Sequence, residues 1–123
     1  MIYDGKAKIK VYNTYVVAYV DNEIGRYYRS LIPKALYVNG QRYGSHITVI
    51  RADVEKVSKE AMDFDGKVIN YSYDNTIFTC GTYFWLNAYS EDIEIIRKKI
   101  GLPRKLYDTF HITLGNCKDV LGV

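Results

Sequence analysis

The chain contains two histidines, His46 and His111, and each is followed two positions later by a threonine, Thr48 and Thr113. Side chains two apart on a β-strand point to the same face. The surrounding runs, Ser45 to Arg51 and Thr109 to Leu114, are rich in the β-branched and apolar residues that strands favour. Each histidine therefore shares a face with its own threonine, while Ile47, Val49, Ile112 and Leu114 point the other way, into a core. Imidazole titrates near neutral pH, so one ring can accept a proton while the other donates one. Threonine hydroxyls can hold the non-bridging oxygens of a phosphate. Together the four residues predict cleavage of a phosphodiester. One histidine would activate water or a ribose hydroxyl, and its partner would protonate the leaving oxygen. These steps call on no cofactor and no metal. Which histidine is acid and which is base stays open at this level. A lone strand histidine is most simply a half-buried structural residue; two in matched triplets favour catalysis.

Strands and helices must bring the triplets together. A weakly alternating strand is expected over 6–12 and a strong β-former run over 15–20. Asp21 or Asn22 caps a helix running to about Pro33, with Ile24, Tyr27, Tyr28, Leu31 and Ile32 on one face. Asn39-Gly40 reads as a tight turn. A short helix capped by Asp53 is expected to reach Met62, and Asp65-Gly66 to turn. Residues 67–73 and 76–80 read as a hairpin about Asp74-Asn75. In the strand 82–89, alternation puts Tyr83, Trp85, Asn87 and Tyr89 on the more polar face. Ser90 caps a helix ending at Ile100, with Gly101 as its stop. The order strand, helix, loop, His-x-Thr strand occurs twice, over roughly 13–52 and 80–116, within one domain spanning 1–123. A duplicated β-α-β unit predicts two halves facing each other across an approximate two-fold axis.

The triplets His46-Ile47-Thr48 and His111-Ile112-Thr113, each followed by an apolar residue, resemble the paired signature of the two-histidine (2H) phosphoesterases. That resemblance implies a bilobal α+β fold, with two antiparallel sheets flanking a central groove, and metal-free cleavage at phosphate. Family substrates include 2′,3′-cyclic phosphates, 2′-5′-linked oligonucleotides and RNA 3′ ends. In phage members they include cyclic di- and trinucleotide signals of bacterial defence. By this analogy the chain would suit a virus-encoded enzyme that removes a host cyclic-nucleotide signal.

The remaining candidates lie around the triplets. Arg42, and Arg104 with Lys105, sit in the loops leading to the two histidines, where a cation could meet the phosphate. Arg51, after its strand, is less favoured. Tyr43 and Tyr107 lie on the same loops and could stack on bases, with Tyr12, Tyr73 and Trp85 as further options. Tyrosine is abundant, 13 of 123 residues, and core or strand packing explains most of it. A net charge of +3 favours an anionic ligand. Without a basic cluster, long duplex binding is not indicated, so the expected partner is a nucleotide or short oligonucleotide. No phosphate-binding Gly-x-x-x-x-Gly-Lys loop is present. Cys80 and Cys117 have no metal-ligand spacing and are expected as two buried, reduced thiols. No apolar run is long enough for a membrane span, and no apolar signal core follows Met1. A cytoplasmic monomer or small homo-oligomer is expected, in its own or a host cell. The competing readings are a sponge that binds a nucleotide without cleaving it, an RNA-end processing enzyme, and an interaction protein with a tyrosine-rich surface.

Overall fold

The structure is a computed structural model that describes residues 1–40 and 44–117. Its strands are β1 (Ile2–Val11), β2 (Val16–Tyr19), β3 (Asn39–Gly40), β4 (His46–Ile50), β5 (Val68–Thr79), β6 (Tyr83–Tyr89) and β7 (Phe110–Asn116), and its α-helices are α1 (Asn22–Ser30) and α2 (Glu91–Lys99). The class is α+β. Among the described residues there is one seven-stranded sheet, ordered β3-β7-β4-β2-β1-β5-β6, and β6 pairs back onto β7. Every pairing is antiparallel. Six strands thus close into a barrel-like ring, with the short β3 beside β7. This corrects the expectation of two separate sheets. The long β1 and β5 pair over Ile2 to Lys8 and join the two halves into one hydrogen-bonded circuit.

The core is a single cluster holding Ile47 and Ile112 together with Tyr28 and Ile32 from the first helical region and Ile93 and Ile96 from α2. Ile47, Ile112, Leu86 and Leu114 are fully buried. Burial of each such side chain contributes roughly 1.5–3 kcal/mol, which fixes which face of β4 and β7 turns away from the core.

The helix ends follow their side chains. Asp21 caps α1 by accepting from the Glu23 amide at 2.9 Å. α1 stops at Ser30, short of the expected Pro33, where the Ser30 hydroxyl turns back on the Tyr27 carbonyl. Of its expected apolar face, Tyr27 and Leu31 are exposed and Tyr28 is buried. Ser90 caps α2, accepting from the Ile93 amide at 3.1 Å and donating to the Asn70 carbonyl at 2.7 Å. Gly101, at φ +87°, ends α2 in the left-handed conformation that glycine adopts without strain.

Three local expectations fail for identifiable reasons. The helix expected from Asp53 is a turn followed by a 3₁₀ helix, Lys59–Phe64. The Asp53 carboxylate is held by Arg51 instead of capping amides, and the Glu55 carboxylate is drawn to Arg97. Asp74-Asn75 does not reverse the chain. Asp74 accepts from the Thr76 amide at 2.9 Å, and residues 74–76 form an irregularity within a continuous β5. The reversal comes later, at Gly81 (φ +94°), so the partner of β5 is β6. Asn39-Gly40 is no turn but β3, paired with Asn116 and Gly115. A Cβ on Gly115 would collide with the Asn39 carbonyl, so this close strand contact needs glycine. Among the described residues no helix is long and apolar enough to cross a membrane.

Candidate active site

β4 and β7 run antiparallel with Ile47 opposite Ile112. Antiparallel register then sets His46 opposite Thr113 and Thr48 opposite His111, so the triplets lie head to tail. All four side chains occupy the face opposite the buried isoleucines. His46 and His111 are diagonal neighbours, a relation that puts residues about 7–8 Å apart, their Cβ atoms somewhat closer. That gap is wide enough for a phosphate between two ring nitrogens. The flanking strands repeat the arrangement. Val17, Ala18 and Tyr19 of β2 pair with Thr48, Ile47 and His46, while Trp85, Leu86 and Asn87 of β6 pair with Thr113, Ile112 and His111.

The two imidazoles have different surroundings. His46 Nδ1 lies 2.7 Å from the Gly44 carbonyl oxygen. A carbonyl only accepts, so Nδ1 carries the proton and the neutral ring has its lone pair on Nε2. The Gly44 backbone is in turn steadied next door, where the Ser45 amide donates to Asn22 Oδ1 at 2.9 Å. Tyr19 meets the His46 ring edge-on at 6.2 Å. His111 is half-buried, with the Trp85 ring tilted at 5.1 Å and the Tyr107 ring parallel to it at 6.3 Å. Burial holds its pKa below the usual imidazole value, because the charged form loses hydration.

A cleft of about 470 Å³ opens over this face, lined by Thr48, Thr113, His111, Trp85, Tyr107 and Arg51 among others. His46 opens instead onto an adjoining hollow of about 230 Å³ that also contacts Thr48 and Arg51. Arg51 reaches both through a β-bulge. Val16 pairs with Ile50 and Val17 with Thr48, which leaves Val49 as an extra residue. The bulge shifts the alternation by one, so Ile50 turns into the core and Arg51 onto the cleft side. Its guanidinium pairs with Asp53 at 2.7 Å and donates to the Tyr107 hydroxyl.

The other sequence candidates separate. Trp85 and Tyr107 line the cleft. Arg104 and Lys105 are exposed and lie outside its lining. Tyr12 reaches the His46 side only indirectly, by stacking on Tyr15 at 4.6 Å and sharing a hydrogen bond with the Tyr19 hydroxyl at 2.7 Å. Tyr73 packs with Tyr3, Tyr28 and Tyr71, away from the cleft. Arg42 and Tyr43 fall outside the described residues. Sequence reasoning ranked Arg51 low because it follows the strand, where a bulge that aims it at the cleft cannot be seen, and it missed Tyr15 and Tyr19. Among the described residues no group of three or more His, Cys, Asp or Glu side chains is placed to hold a metal ion.

The thiols correct another expectation. Cys117 is buried but Cys80 is exposed and lines the cleft. Hydrogen bonds from the Tyr83 and Thr82 backbone lower the Cys80 pKa. A maleimide is therefore expected to modify one thiol per native chain, at Cys80, and both only after unfolding. Peptide mapping of the labelled protein checks this.

The profile of the family described as Swiss Army Knife, 2H phosphoesterase domain matches residues 14–120. The chain belongs to this family. The match spans both His-x-Thr strands, both helices and the bulge. No curated protein and no solved structure matches the chain. As a 2H phosphoesterase domain, the protein falls among hydrolases that act on phosphodiesters in general.

Proposed function

We propose that this 2H phosphoesterase domain cleaves a nucleotide phosphodiester by paired-histidine acid–base catalysis, with both proton transfers made by its own imidazoles and no metal required. The observation that carries the reading is the Ile47–Ile112 register, which converges two histidines and two threonine hydroxyls on one face. His111, neutral at pH 7 because burial disfavours its charged form, takes a proton from water or a ribose hydroxyl. The attacking oxygen bonds to phosphorus and the bond to the leaving oxygen breaks. His46, entering as the imidazolium, gives its Nε2 proton to that oxygen and is left as the neutral ring whose Nδ1–H faces the Gly44 carbonyl. Thr48 and Thr113 donate to the non-bridging oxygens. The matching registers of β2-β4 and β6-β7 support descent from a duplicated β-α-β unit, with the two histidines in equivalent places.

The test is turnover of cyclic mononucleotides, cyclic oligonucleotides and 2′-5′ oligoadenylates with EDTA present, products identified by mass spectrometry. Cleavage of at least one class is expected. Recovery of every ligand unchanged but bound would replace the enzyme with a nucleotide sponge. The pH dependence follows from His111. Its depressed pKa keeps the base unprotonated down to below the usual imidazole value of about 6.5. On lowering the pH, the acid limb of kcat/KM should have its midpoint below about 6.5. An acid limb centred above 6.5 would exclude His111 as the base.

A further inference from the structure

The two hollows meet at the place where the phosphate is read to sit. The larger, about 470 Å³, has Trp85 and Tyr107 in its wall. The smaller, about 230 Å³, has Tyr15 and Tyr19. Thr48 and Arg51 belong to both walls, so they stand at the junction. The aromatic walls are braced by neighbouring rings. Trp85 stacks on Phe78 at 6.2 Å and Tyr15 on Tyr12 at 4.6 Å. Braced rings hold a flat surface ready and lose little freedom when a base stacks on them. Arg51 is fixed at the junction by Asp53 and Tyr107, and its exposed guanidinium can meet an anion held between the hollows.

We infer that the site takes a diester with a nucleoside on each side of the phosphorus, one ring in each hollow, and that Arg51 holds the bridging phosphate. This rests on the reading that the histidine–threonine face receives the phosphate. A cyclic mononucleotide carries one base and would leave one hollow empty. A two-nucleoside linkage, whether in a linear or a cyclic oligonucleotide, fills both.

Binding tests this apart from chemistry. In a His46→Gln/His111→Gln background, which removes both proposed proton carriers, Kd would be measured for the dinucleoside phosphate adenylyl-adenosine and for adenosine 3′-monophosphate. The dinucleoside should bind about tenfold or more tightly. Tyr15→Ala and Tyr107→Ala, on opposite sides, should each weaken it about fivefold or more, as loss of one base stack does. The mononucleotide should respond to only one of the two. Arg51→Gln should weaken both ligands, which share the phosphate. Circular dichroism checks that each variant is folded, and Tyr15→Leu, which keeps bulk without a stacking face, stands in if Tyr15→Ala is not. Equal affinity for the two ligands, or dinucleoside binding indifferent to Tyr15→Ala, would overturn the inference yet leave the proposed chemistry standing. The reverse outcome, in which wild-type protein binds the dinucleoside through both hollows and cleaves no diester, would overturn the chemistry alone.

Discussion

Alanine at either His46 or His111 is expected to lower kcat about 10²–10⁴-fold, the usual worth of one positioned acid or base. Both rings are half-buried on the open face of their strands, and the core beneath is made by Ile47 and Ile112. The variants should therefore fold, with unfolding midpoints close to wild type. The two losses should not multiply. Once one proton transfer is gone, the other imidazole has little left to assist, so the double variant should be only slightly worse than the worse single one. Steady-state kinetics on the three proteins, with thermal melts alongside, checks both statements. Single variants within threefold of wild type would remove the histidines from the reaction.

The second large effect lies beneath the cleft. Arg97 on α2 is 1% exposed, and each of its guanidinium nitrogens has a partner. It donates to both Glu55 carboxylate oxygens at 2.7 Å, to the Val49 carbonyl at 2.6 Å and to the Pro103 carbonyl at 2.8 Å. Val49 is the bulge residue, so this one side chain pins α2, the bulge that aims Arg51, and the loop leading to Tyr107. Arg97→Ala leaves a buried carboxylate without its partner and should cost about 3–5 kcal/mol. Urea denaturation would read it. The pair itself is not expected to be worth that much. In a double variant, Arg97→Met with Glu55→Leu, much of the loss should return, because the stranded charge is gone. Activity need not return with it, since the Val49 carbonyl would still lack its donor. A loss under 1 kcal/mol for Arg97→Ala would show that the ion pair is not a structural hub.

The legible parts of this fold were those with local causes. Two histidines, each two residues before a threonine in a β-former run, marked the two strands that pair at Ile47 and Ile112. Ser90 and Gly101 marked both ends of α2, and alternation sorted Trp85 from Leu86 on β6. The missed parts depend on partners distant in sequence. Asp74-Asn75 has turn chemistry, but β1 pairs alongside it and the strand runs on. Ring closure rests on that same β1–β5 pairing, which no local pattern announces. The Val49 bulge re-aimed Arg51 without any glycine or proline to signal it. Arg97 was readable in one respect: it stands one turn after Ile93, on the buried stripe of α2. A charge there calls for a buried partner, and Glu55, held far along the chain, could be found only in three dimensions.

In the proposed reaction two imidazoles, brought together by one strand pairing, act on opposite sides of the same phosphorus. Crystals of the protein with vanadate, which mimics a five-coordinate phosphorus, examine this directly. Nitrogens of both His46 and His111 should lie about 2.6–3.2 Å from oxygens of one vanadate, with Thr48 and Thr113 on its remaining oxygens. Vanadate held by one histidine with the other turned away, or bound off the β4–β7 face altogether, would contradict it.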